Sequence, residues 1–546
     1  MKGLIRIILS ALILVLAYAG LEANQDEINR QVEKFGGSIF RLLGQTFKKI
    51  PVWKKNRADA RAVLAEIQGY PEPLPVPSDQ EIFSWIQALA NTPHRRPGSP
   101  EEFAAGEYII AELEKMGIKE IHKDPIPVKY WRPEKWELQV ADETGFQDFP
   151  AFYVPYTGFT PEKGIEAEMV YVGTGRPRDF SGKEVKGKIV VGEVPFPNLP
   201  YGALIKLLPV YYVSDPEKTI GLGFSERLIF VRQNFMGYGT EKSHPENDLY
   251  WNAYENGAAG ILLILRDQPT NSNSHWGPYD GILKPMPGLW IGKYDGDKLR
   301  GLAQKGKRAK LTLTGEVKDS VTYNIYGILP GKSDRMLILH SHYDAPFAGV
   351  TEDGAGCAQV LAQASAWSKI PREKRPKTLL FLFTTGHFYG SNGSSTFAHQ
   401  HKNDLLKKAD LVLTLEHIGA KEAMEGADHQ YRFTGQMEMG GIFTAENKYA
   451  IASVIKTLQK HRLPRMMSTP INFFGPAPPT DAAGFVLEPE LKVPVLSWIT
   501  GPAYLLCAED TLDKVQVEML DDYARAISDL VGYFSLIESE KLRNGD

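Results

Sequence analysis

Apolar and polar positions along this 546-residue chain follow three successive patterns. Over 24–70, spaced apolar residues among mixed charges predict helix, and the proline-rich stretch 71–77 predicts a linker. Two helix starts follow. Ser78 with Glu81 three residues on forms a capping box, and Ser99-Pro100-Glu101-Glu102 repeats the motif with proline at the first helical position. The second helix puts Phe103, Ile109, Ile110 and Leu113 on one face and stops near Gly117. From 146 to 317 short β-branched runs bounded by glycine predict strands at 169–175, 187–194 and 257–265. After Thr322 strand and helix alternate. Strands are predicted at 335–341, 378–384, 409–416 and 493–500, and a last helix over 513–537. Near-continuous apolar strands separated by helices indicate an α/β fold, a mostly parallel sheet covered by helices on both faces. Ligands bind beyond the carboxyl ends of such strands, and His342, His387 and Glu416 all stand there.

Composition narrows the classes. The length exceeds one ordinary core and predicts at least two domains. A net charge of −4 without a basic cluster argues against nucleic acid or an anionic membrane as partner. At the N-terminus, Lys2 and Arg6 precede the apolar run 7–16, and Ala17-Tyr18-Ala19 offers small residues for cleavage. Residues 1–23 therefore read as an export signal that leaves a periplasmic or extracellular protein, with an uncleaved membrane anchor as the alternative. Cys357 and Cys507 are too few for a disulfide scaffold. They read as two small buried side chains, with a single bridge as the alternative.

The candidate chemistry begins in 336–356. An apolar strand leads into His342-Tyr343-Asp344, where an imidazole can ligate a metal and the carboxylate two residues on can orient it. The acidic-glycine turn Glu352-Asp353-Gly354-Ala355-Gly356 follows. A strand-end histidine alone is more often structural, so the case rests on later blocks.

Those blocks are NIYGILPG (324–331), HSHYD (340–344), EDGAG (352–356), FLFTTGHFYGSNGS (381–394), LTLEHIG (413–419) and EDTLDKVQVEML (509–520). Together they resemble the co-catalytic zinc aminopeptidase family, which includes leucyl aminopeptidases, glutamate carboxypeptidase and the non-enzymatic transferrin receptors. The resemblance assigns 78–145 and 320–540 to one discontinuous peptidase-like domain. Segment 146–319 resembles the β-rich protease-associated domain often inserted in this family, and 24–77 remains a helical extension with its linker.

The resemblance implies two zinc ions on five protein ligands, and this chain departs from that set. His342 stands at the first ligand, with Asp344 in its supporting place. Glu352 replaces a bridging aspartate, and the bond after it, to Asp353, corresponds to one that is cis in the family and is expected to stay cis if the site keeps a function. His387 and Phe388 fall on the paired glutamates that serve as general base and ligand. Glu416 falls on the second aspartate, and Leu506 on the last histidine. Phe388 and Leu506 offer no lone pair, so each zinc loses a terminal ligand and a two-zinc centre is not expected. The polar residues that survive predict at most one divalent metal, zinc first, on His342, Glu352 and His387, with Glu416 as a further candidate ligand. Asp344 and His387 are the candidate catalytic residues. His417 is expected to point away from Glu416, since adjacent strand residues face opposite ways.

Two functions stay open. One is an exported protein that binds a peptide-like or amide ligand in the former cleft, with two-zinc chemistry lost. The other is a divergent peptidase or amidase using the single-metal set, with the aromatic-rich stretch 201–251 as a lid.

Overall fold

The computed structural model describes residues 38–195, 199–200, 210–221, 227–228 and 249–544. The expected export signal and most of the expected lid lie outside the described residues. Among the described residues, the mixed sheet has fifteen strands. Its heart is parallel, in the order Lys377–Thr384, Ser333–His342, Ala409–Glu416 and Val495–Thr500. Antiparallel neighbours flank it, Arg308–Leu329 on one side and Gly440–Thr444 on the other.

Strand alternation explains why these runs are apolar throughout. Leu337, Leu339, Leu379, Phe381, Leu411 and Leu413 enter one buried cluster, while Met336, Ile338, Leu380, Leu382 and Val412 enter another on the opposite face. Helix Ala355–Ser368, buried along nearly its whole length, lies in the first cluster with the helices Lys448–His461 and Leu520–Leu536. Helix Pro100–Lys115, capped by the Ser99 side chain, packs Ile109 and Leu113 into the same cluster. The expected last helix starts later than its sequence suggests. Residues 512–519 form two short 3₁₀ turns, and the α-helix begins at Leu520.

The N-terminal helix Ser38–Ala62 docks through Trp53, which stacks on Phe473 at 5.8 Å and donates its indole N–H to Glu446 and Asn472. The proline-rich stretch after it is packed as well, since Leu74 and Val76 rest on the core.

Residues 131–313 build a third apolar cluster. Its strands Ile165–Tyr171, Ile189–Val194, Gly260–Leu265 and Gly288–Ile291 run parallel. The 22-residue strands Glu120–Ala141 and Arg308–Leu329 pair along almost their whole length and join this part to the main sheet. The boundary expected at 319 therefore falls inside a continuous strand. Tyr212–Ser214 leaves the segment to pair with Met466–Pro470 at the far edge of the main sheet. Cys357 and Cys507 are both buried and are not bridged to each other.

Candidate functional site

The site lies at the carboxyl ends of the parallel strands, where the apolar runs give way to polar residues. His342 closes its strand with Nδ1 3.1 Å from the Asp344 carbonyl, so the ring donates there and turns Nε2 inward. Asp344 accepts the backbone N–H groups of His387 (3.3 Å) and Phe388 (2.9 Å), which fixes the 386–389 turn beneath it. The Glu352–Asp353 bond is cis. Asp510 holds that turn from behind, accepting N–H groups from Thr351 and Glu352 at 3.0 Å and the Thr351 hydroxyl at 2.6 Å. Asp353 faces inward and accepts from Ser341 (2.6 Å), Gly356 and the His417 backbone (2.9 Å).

His417 does not point away. It follows the strand Ala409–Glu416 with a φ of 55°, and this left-handed turn breaks the alternation on which the expectation rested. Its Nδ1 donates to the Thr500 carbonyl at 2.8 Å, and its Nε2 comes 3.1 Å from Glu352 Oε2. That approach is an ion-pair distance without hydrogen-bond alignment. His342 Nε2 sits 3.5 Å from Glu352 Oε1, also without a hydrogen-bond partner. Glu352 thus lies between two imidazoles. Glu416 accepts the Asp481 backbone N–H at 2.8 Å.

Sequence reasoning missed Asp481. It lies 3.2 Å from His387 Nδ1, accepts the Thr384 hydroxyl at 2.8 Å and stands 3.5 Å from His340. Its only preceding signal, the Pro478-Pro479-Thr480 turn, has no periodicity that points to a site. Arg95 was missed too. Fully buried, it donates to the carbonyls of Leu89, Tyr343, Ala348 and Gly349 and pins the loop between His342 and Glu352.

Burial and pairing set the protonation states. Burial holds His342 neutral by lowering its pKa to about 3. Burial also opposes charge on His387, but the hydrogen bond and charge of Asp481 outweigh it and raise the pKa to about 9. The same contest at His417 is won by Glu352, giving about 10, and the Glu352 carboxyl falls to about 2. Burial raises Glu416 to about 8 and both Asp344 and Asp353 to about 7, while the paired Asp481 lies well below the usual range. At neutral pH two firm carboxylates, Glu352 and Asp481, thus face two imidazolium rings, His417 and His387.

Phe388 and Leu506 add no donor to this polar set. Both are buried in the apolar cluster built by residues 131–313, together with Trp276 and Phe347. Leu506 adopts a φ of 61°, and its carbonyl accepts the Trp276 N–H at 2.8 Å. The Phe388 ring meets those of Tyr279 and His387 edge-on at 5.6 and 5.0 Å. The two positions that the family resemblance assigns to terminal zinc ligands thus carry hydrocarbon side chains.

Residues 324–531 match the model of peptidase family M28. Carboxypeptidase Q of Xenopus laevis is 24% identical over 374 residues, an alignment spanning 67% of this chain and 69% of that protein. A probable glutamate carboxypeptidase of Zea mays is 23% identical over 62% of this chain and 50% of its own. Among solved structures, a peptidase M28 precursor from Shewanella amazonensis superposes with a TM-score of 0.61 at 18% identity, covering 89% of this chain and 98% of that one. A zinc aminopeptidase from Bacillus subtilis gives 0.59 at 18% identity, covering 84% and 96%. These superpositions establish the α/β fold. The family match over residues 324–531 and the ordered motif blocks support a place in the co-catalytic zinc peptidase family.

Proposed function

We propose that this chain is an exported protein that binds a peptide or small amide-containing ligand on a zinc-peptidase fold, with two-zinc hydrolysis lost. The observation that carries the reading is the burial of Phe388 and Leu506 in a hydrocarbon cluster at the two positions the family resemblance assigns to terminal ligands. The protonation of His387 supports it further. The family's base occupies that position, whereas an imidazole held protonated to about pH 9 by Asp481 has no lone pair for a substrate water at neutral pH. Residues 1–23 as the export signal and 146–319 as a protease-associated insertion belong to the same proposal. The ligand class follows from the peptidase names of the relatives.

The test pairs two measurements on purified protein: turnover of aminoacyl anilides with zinc present, and equilibrium binding of a dipeptide library. Binding without turnover is expected, and zinc-dependent turnover would overturn the proposal.

A second reading, a one-metal hydrolase on His342, Glu352 and His387, is favoured by donor atoms that all lie within 4.8 Å of one another. Ring orientation weighs against it. The His342 and His387 rings stack at 4.1 Å and 5°. An ion midway between them would sit up to roughly 2 Å out of each ring plane, nearly a whole zinc–nitrogen bond, whereas the lone pairs lie in the plane.

A further inference from the structure

We infer that the chain carries a single-cation site displaced from the family's arrangement, with His342, His417 and Glu416 as ligands and Glu352 closing the set. Two-zinc chemistry remains lost, as in the reading above, and what is added is a metal site built on a histidine outside the family's ligand positions.

Three observations converge on this site. The donor atoms of His342, Glu416 and His417 all lie within 4.8 Å of one another, and all three side chains are buried. Among the described residues, the buried Nε2 atoms of His342 and His417 find no aligned hydrogen-bond partner, a costly arrangement unless something else fills the space between them. Each ring is also fixed from behind by a backbone carbonyl, Asp344 for His342 and Thr500 for His417. A donated Nδ1–H leaves Nε2 as the atom aimed inward, as in histidine-ligated metal sites, and at His417 a bound cation would displace the proton that Glu352 otherwise holds on Nε2.

The spacing agrees. Zinc bonds of about 2.1 Å set ligand-to-ligand edges of about 3.4 Å in a tetrahedron. Glu352 carboxylate oxygens stand 3.5 Å from His342 Nε2 and 3.1 Å from His417 Nε2. Both separations approach a coordination edge, and both lack hydrogen-bond alignment. Glu416 keeps one carboxylate oxygen for the Asp481 N–H and has the other to offer. Two imidazoles with two carboxylates suit a borderline divalent ion such as Zn²⁺ or Co²⁺ and not Mg²⁺ or Ca²⁺. His387 stays outside the set because its ring stacks on that of His342 at 4.1 Å and 5°, which would hold a shared ion out of both ring planes.

Calorimetric titration of the full chain with Zn²⁺ alone tests this, using His417→Gln and His387→Ala as the discriminating pair. His417→Gln retains an amide that can donate to the Thr500 carbonyl but offers no imidazole. Circular dichroism confirms that each variant is folded, and His417→Asn replaces any that is not. One equivalent of zinc is expected to bind the unaltered protein, at least tenfold more weakly after His417→Gln and within threefold of its original affinity after His387→Ala. A tetrahedral ligand-field spectrum with Co²⁺ should be lost in His417→Gln alone. Absence of zinc binding by the unaltered protein would overturn the site while leaving the ligand-binding reading intact. Greater sensitivity to His387→Ala than to His417→Gln would also overturn it, in favour of the stacked set.

Discussion

Restoring the missing donors by Phe388→Glu and Leu506→His gives a prediction with a worked magnitude. Phe388 has no exposed surface and lies among Tyr279, His342 and His387 in the apolar cluster. Removing a buried phenyl ring costs about 3–5 kcal/mol, and leaving a polar group unpaired in its place costs about 1–3 kcal/mol more. Without metal, Phe388→Glu should therefore lose about 4–8 kcal/mol, a large share of the 5–15 kcal/mol typical of a folded domain. Leu506→His adds less backbone strain than most exchanges there, because histidine visits the left-handed region at φ 61° more readily than leucine. Zinc at a hundredfold excess over its dissociation constant returns about 2.7 kcal/mol, so the rescue is partial. The assay is urea denaturation with and without zinc, alongside zinc titration. The double variant should unfold at lower urea, recover partly with zinc and bind one more equivalent than the unaltered chain. Turnover of aminoacyl anilides should stay absent until His387→Glu restores a carboxylate base. An unchanged midpoint would refute the burial argument, and unchanged zinc stoichiometry would refute the assignment of positions 388 and 506.

Two further outcomes follow from the buried network. Arg95→Met strands four carbonyls that the guanidinium now serves and should lower stability by at least about 3 kcal/mol, so an unchanged thermal midpoint would contradict that role. Asp481→Asn removes the partner that raises His387 from 6.5 to about 9. A raised histidine pKa contributes stability that is fully present below pH 6.5 and is lost as pH rises through 9. The stability gap between the unaltered protein and this variant should therefore be widest below pH 6.5 and narrow toward pH 9. An NMR titration should place His387 of the variant below its present value, and a pKa still near 9 would show that Asp481 is not its cause.

Legibility in the sequence followed the physics of each element. The strand Ala409–Glu416 was readable to the residue because a strand buried on both faces must be apolar throughout. Helix Pro100–Lys115 was readable from its cap. The boundary at 319 was not, because the strand Arg308–Leu329 belongs to both cores and local composition cannot reveal a strand shared between them. His342, Glu352, His387 and Glu416 were singled out through their motif blocks, and the fold sets His342 beside Glu352 and His387 and also beside Glu416 and His417. His417 was misplaced because alternation assumes a continuing strand, and the positive φ that ends it leaves no mark in the sequence. Asp481 and Arg95 act through contacts 94 residues away from His387 and up to 254 from the loop that Arg95 holds, where no local pattern reaches.

The central claim is that the family's two-zinc hydrolysis has been lost from this chain, and the most direct test is turnover by the unaltered protein. Purified full-length chain is incubated at neutral pH with saturating zinc and a panel of aminoacyl anilides and dipeptides, and product is measured against the uncatalysed rate. The account predicts no zinc-dependent product above that background. Turnover that requires zinc and disappears on chelation would contradict it.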